Sequence, residues 1–230
     1  MSRERHYQSF THREAQFRIC CAEFDAVTAE ILRQRDILEN YIQRHPAFKH
    51  ALEPIALRAD APEVAQRMAW AADRVGVGPM AAVAGVMAQL AAQAGLDAGA
   101  REVIVENGGD IYVQALEPVT IGLYPGTPEL TQRLGFSLQA VDTPVAICAS
   151  SGRMGHSMSR GTCDLATVVA EDAALADAAA TQAANLIKRV EDVNPTLERI
   201  AAIAGIRGVM IVKQDKVGMI GRLPRLVKIA

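Results

Sequence analysis

The sequence predicts an α+β fold in which mixed or antiparallel sheets are covered by alanine-rich helices. Three observations lead there. Strand-like and helix-period runs are interspersed along the 230 residues without strict βαβ alternation. Half of the residues are hydrophobic but only 4% are aromatic, so small side chains must pack the core and let backbones approach closely. No Ser- or Pro-rich linker and no internal repeat interrupts the chain, so one domain over residues 1–230 is expected.

Residues 5–10 and 15–22 read as two strands of a hairpin around Thr11-His12-Arg13-Glu14. Residues 25–44 read as an amphipathic helix, because Val27, Ile31, Leu38 and Ile42 recur at helical spacing and Pro46 ends the run. Asp60 is placed to cap a second helix, with Pro62 and Glu63 in its first turn. Gly76-Val77-Gly78 breaks that helix, and Pro79 opens another that runs to about Ala94. No residue from Val75 to Leu96 is charged. A membrane span needs ~20 apolar residues. Here Gly76, Gly78, Pro79, Gly85, Gln89, Gln93, Gly95 and many alanines weaken the hydrophobic drive, so a buried helix is expected. Strands follow at 102–106, 111–114, 119–123, 134–140 and 145–149, and after a glycine-rich loop at 165–170. A helix of small residues spans 173 to about 190, and a shorter one spans 195–203. Runs 208–214 and 217–220 close the chain as a hairpin turning at Asp215-Lys216.

The formal net charge is -2 and no basic stripe is present, so nucleic acid is not an expected partner. The start, Met1-Ser2-Arg3-Glu4-Arg5-His6, lacks an apolar signal core, which points to a cytoplasmic protein without a membrane partner. Cys20, Cys21, Cys148 and Cys163 form no CxxC pair and no zinc-ligand spacing, so reduced thiols are expected. Cys20 and Cys21 should point to opposite faces of their strand. Cys163 reads as a small packing residue rather than a reactive thiol.

Three segments could carry chemistry. Glu106-Asn107-Gly108-Gly109-Asp110 lies between two strands. Its glycines favour a tight turn and let a ligand approach the backbone, while Asn107 and Asp110 offer orienting hydrogen bonds. A plain hairpin turn explains the same residues. Asp177, Thr181 and Asn185, spaced by four, form one polar stripe on an otherwise alanine and aliphatic helix. Buried polar groups need partners, and a carboxylate with a hydroxyl one turn away suits a hard cation such as Mg²⁺. A stripe facing a shallow surface is an equal reading of that spacing. Between Ser150 and Thr162 a loop holds three glycines, several hydroxyls, Arg153, Arg160 and His156. Ser150, Gly152, Arg153 and Arg160 could hold phosphate or carboxylate. His156 and Ser151 are the candidate catalytic residues, His156 as acid or base. A long solvated loop explains them as well. Gly76-Val77-Gly78 lacks the third glycine of a dinucleotide fingerprint and the P-loop lysine, and reads as a helix break.

Taken together and in order, these segments resemble the ApbE-like superfamily, whose characterised members are FAD:protein FMN transferases. The closer resemblance is to an uncharacterised, cytoplasmic ApbE-like branch of archaea and anaerobic or sulfate-reducing bacteria. It is carried by Gly78-Pro79-Met80-Ala81-Ala82-Val83-Ala84-Gly85, Glu106 to Asp110, Ser150-Ser151-Gly152 with Gly155-His156-Ser157, and Leu175 to Thr181. It implies a flavin nucleotide, FAD or FMN, beside Asn107, Gly108, Gly109 and Asp110, and Mg²⁺ on Asp177 and Thr181. Two departures stand out. Ala84 occupies the place of a lysine usual in the transferases, and His156-Ser157-Met158-Ser159-Arg160-Gly161 lacks the aspartate and proline of their His-Ile-Ile-Asp-Pro-x-Thr-Gly segment. The expected role is binding of a flavin nucleotide or other phosphorylated small molecule with Mg²⁺. The alternatives are an enzyme of anaerobic sulfur metabolism that assembles homocysteine, and a non-catalytic binding or assembly module. A homodimer is admitted by the sequence but demanded by nothing in it.

Overall fold

The computed structural model describes residues 5–123, 134–152 and 161–229. In chain order the elements are β1 (Gln8–His12), β2 (Ala15–Cys21), α1 (Phe24–Arg44), α2 (Ala47–His50), α3 (Glu63–Val75), α4 (Val83–Asp97), β3 (Val103–Asn107), β4 (Asp110–Gln114), β5 (Val119–Leu123), β6 (Leu134–Leu138), β7 (Val145–Ser150), β8 (Leu165–Ala170), α5 (Ala173–Leu186), α6 (Val193–Ala201), β9 (Ile206–Lys213), β10 (Lys216–Gly221) and β11 (Arg225–Lys228). Eight strands form one sheet in the order β1-β2-β3-β4-β7-β8-β9-β10, and a second sheet runs β11-β6-β5. Every pairing among the described residues is antiparallel. The α+β expectation holds.

Side-chain alternation divides the large sheet into two faces. Val103, Val105, Tyr112, Cys148 and Val168 join the helix-side core. Ile104, Ile111, Val113, Ile147 and Val169 join a second core with Val119, Ile121, Phe136 and Leu138 of the small sheet. Cys20 and Cys21 divide between these faces as expected. On the helix side, α4 lies over β3 and β4, and α5 lies over β7 and β8. Outside them, α1 packs on α4 and α3 packs on α5. Of the small sheet on the second face, β5 and β6 are expected strands, whereas β11, only the four residues Arg225–Lys228 with a charge at each end, follows from no sequence signal.

By length and composition the segment Pro79–Asp97 could cross a membrane. It is instead the central helix of the fold, with Val86, Met87, Ala88, Ala91 and Ala92 buried. Alanine and glycine let it pack against α1, α5 and the sheet together.

The expected cap of α3 is a correction. Asp60 sits beyond the helix, paired with Arg44 and His45, and the chain enters α3 from Pro62 in extended conformation. Its side chain is drawn to Arg44 and His45 at the end of α1 rather than to the amides of α3. The hairpin turns also sit one residue from the expected places, with Arg13 and Gln214 at φ +53° and +54°. The short helix α2, which buries Phe48, had no helical period to reveal it.

One clasp ties the start of the described chain to the sheet. Arg5 donates to both carboxylate oxygens of Glu102 at 2.9 Å, and Glu102 also accepts from the Leu116 amide at 2.9 Å. Burial works against the Glu102 charge, but Arg5 and that amide outweigh it and hold the carboxyl below its usual value. Glu102→Gln is therefore expected to cost about 1–2 kcal/mol at neutral pH. A depressed folded-state pKa stabilises above the unfolded value and loses that contribution as pH falls through it. Urea midpoints of wild type and variant should thus differ at neutral pH and converge well below 4.5, the ordinary glutamate value.

Candidate functional site

The hairpin β3–β4 turns through Gly108 and Gly109, at φ +64° and +105°, a conformation that favours glycine. The turn sets Asn107 opposite Asp110. Parity places both on the helix side, with Val105 and Tyr112. They are 8% and 7% exposed, so their polar atoms need partners inside the fold.

Those partners come from α4 and α5. Asp172 caps α5 by accepting from the Leu175 amide at 2.8 Å. One and a half turns later Asp177 points inward, 7% exposed. Its Oδ2 accepts from the Gly85 amide at 2.9 Å. Asn107 Nδ2 donates to the Ala84 carbonyl at 3.2 Å. Two side chains far apart in sequence thus grip consecutive residues at the start of α4. The helices cross so closely there that a Cβ on Gly85 would lie 2.2 Å from the Ala173 carbonyl oxygen and 2.8 Å from Asp177 Cβ. Gln89 Oε1 accepts from the Ala173 amide at 2.7 Å and fixes the same crossing.

Asp110 stands beside this crossing. The Cys148 thiol and the Ala149 amide face its carboxylate, while its Oδ1 is buried without a partner. Burial pushes its carboxyl well above the usual range, the negative charge of Asp177 adds to this, and the two donors oppose it. Burial also pushes Asp177 up to about 7, against the amides of Gly85 and Ala84. The Cys148 thiol is wholly buried, 3.6 Å from the Ala173 carbonyl oxygen. Burial and the two carboxylates raise its pKa, so it is a proton donor in this cluster.

The remaining expected site residues are distributed as follows. Thr181 lies one turn beyond Asp177 on α5 and is half-buried. Since Ile111 pairs with Ile147, β7 continues past Asp110 and leaves the sheet at Ser150 beyond the Gly108-Gly109 turn. Ser151 is buried, and the Gly152 amide donates to the Cys163 carbonyl at 2.8 Å. Arg153, His156 and Arg160 lie outside the described residues. Cys163 is fully buried and its thiol is pushed to about 12 by burial, as fits a packing residue. Cys148 and Gln89 were not singled out. Gln89 was visible as one of two glutamines on an apolar helix, whereas Cys148 looks like any small residue of a buried strand.

Among the described residues no group of three His, Cys, Asp or Glu side chains is placed to hold a metal. A cation here would rest on carboxylates, the Thr181 hydroxyl and oxygens from water or ligand. A cavity of about 330 Å³ lined by Gln66, Arg67, Trp70 and Asp172 includes none of the expected site residues.

The family model described as AbpE bacteria matches residues 3–214. A UPF0280 protein of Methanocaldococcus jannaschii is 40% identical over 86% of this chain and 82% of its own length. Another, from Methanococcoides burtonii, is 41% identical over 83% and 81%. The flavin transferase ApbE from Vibrio cholerae superposes with a TM-score of 0.55 at 15% identity, covering 94% of this chain and 96% of that one. The apbe protein from Thermotoga maritima gives a TM-score of 0.54 at 13% identity, covering 98% and 97%. At these identities the two structures speak for the fold. The family match and the archaeal relatives speak for kinship, and the chain belongs to the ApbE-like family described as AbpE bacteria, in the branch of the UPF0280 proteins.

Proposed function

We propose that the protein binds a flavin nucleotide, or another phosphorylated small molecule, together with Mg²⁺ at the wall formed by Asn107–Asp110 and Asp177–Thr181. The observation that carries this is the double grip on α4, with Asn107 on Ala84 and Asp177 on Gly85. It ties one end of the glycine turn and the polar stripe of α5 to consecutive residues of α4, which supports the single cleft that the sequence reading expects. The donors are oxygen atoms of a carboxylate and a hydroxyl, and a buried carboxylate oxygen without a partner lies near them, so the residues fit Mg²⁺. The flavin transferase title of the structural neighbour from Vibrio cholerae supports the choice of ligand.

In this reading Asp177 and Thr181 hold the cation. Mg²⁺ supplies charge neutralisation and orientation of a phosphate group. The Gly108-Gly109 turn, free of side chains, lets the ligand meet the backbone. Asn107 is held in place by Ala84 and orients what binds there. Titration of the purified protein with FAD, followed by flavin fluorescence with and without Mg²⁺, tests the reading. Saturable binding strengthened by Mg²⁺ is expected. No binding under either condition would reject it.

A further inference from the structure

We infer that Asp110 is a cation ligand alongside Asp177, so that the two carboxylates hold one divalent ion between the β3–β4 turn and α5. The inference rests on the Mg²⁺ reading above and changes the role of Asp110 within it. Three features of the chain lead to it. Asp110 is 7% exposed, yet its Oδ1 has no hydrogen-bond partner. A buried oxygen of that kind costs free energy unless something occupies its lone pairs. Its environment is also one-sided. The Cys148 thiol and the Ala149 amide face Asp110, and among the described residues the only formal charge acting on it is that of Asp177. Among the described residues no arginine or lysine acts on either of these two buried carboxylates, so they lack a counter-charge there. Finally, a carboxylate on the wall of a phosphate site repels the ligand unless a cation stands between them. Direct contact of Asp110 with a nucleotide phosphate is therefore the weaker role.

Cys148 is the positioning residue in this arrangement. Its thiol donates to the Ala173 carbonyl at 3.6 Å, at the first turn of α5, and faces Asp110, which sets the carboxylate against α5 and leaves Oδ1 for the ion. The donor set is hard oxygen, which selects Mg²⁺ or Mn²⁺ over softer metals.

Calorimetric titration of Mg²⁺ into the nucleotide-free protein tests this, using wild type, Asp110→Asn and Asp177→Asn. Wild type should bind Mg²⁺ alone, and each variant should bind it about tenfold or more weakly. If Asp110→Asn binds like wild type while Asp177→Asn does not, Asp110 is not a ligand. If wild type takes up Mg²⁺ only when FAD is present, the paired site fails and the flavin reading stands. If it binds no Mg²⁺ under either condition, both fail. Should Asp110→Asn not fold, infrared difference spectra of wild type on Mg²⁺ addition decide. Shifts of two carboxylate groups support the inference, and a shift of one overturns it.

Discussion

Gly85→Ala is expected to destabilise the protein by about 3 kcal/mol or more. The added methyl would sit 2.2 Å from the Ala173 carbonyl oxygen and 2.8 Å from its carbon, and both are backbone atoms of a capped helix. A flexible side chain could turn away, but here α4 or α5 must move as a body. Moving either one stretches the Gly85–Asp177 bond and the Gln89–Ala173 bond together. A lowered urea midpoint together with weaker Mg²⁺-dependent flavin binding is the expected pair of results. A variant with wild-type stability would show that the crossing is looser than described.

Asp177→Ala and Asp177→Asn should separate structure from function at the same place. Alanine removes the acceptor of the buried Gly85 amide, which costs about 1–3 kcal/mol. Asparagine keeps an acceptor of the same shape, removes a buried charge and should leave stability nearly unchanged. Both variants are expected to lose the thermal shift that Mg²⁺ produces in wild type. A retained shift in Asp177→Asn would remove Asp177 from the cation site. Equal losses of stability in the two variants would mean that its charge, not its hydrogen bond, supports the fold.

Much of this architecture was legible because local and global preferences agree. Residues 119–123 and 165–170 fall where apolar β-branched runs put them, and α5 begins where Asp172 can cap it. The polar stripe on α5 was legible for the same reason, since four-residue spacing on an alanine helix has one geometric meaning. What joins the stripe to the glycine turn was not. The bonds to Ala84 and Gly85 are made by backbone atoms, and backbone atoms leave no trace in residue type. Asp60 misled because a good capping residue can be claimed by nearby cations instead. Two strands of the small sheet were read, but its third, β11, carries too few residues to show a period.

The order of strands in the large sheet has a consequence for how the chain assembles as it is made. From β1 to β10 each new strand joins the one before it, apart from the excursion through β5 and β6 to the opposite face. The sheet can therefore grow from one edge in the order of synthesis, although β3 reaches β2 only across α1, α2, α3 and α4, a distant pairing that carries its own loop-closure entropy. Two parts must wait. The β3–β4 turn and α4 emerge well before α5 brings Asp177 to them, and β6 lacks its outer neighbour until β11 arrives. Until then the Gly85 amide is without its acceptor and Asp110 without the neighbouring carboxylate. The candidate site is thus a late product of folding, completed after most of the sheet that carries it.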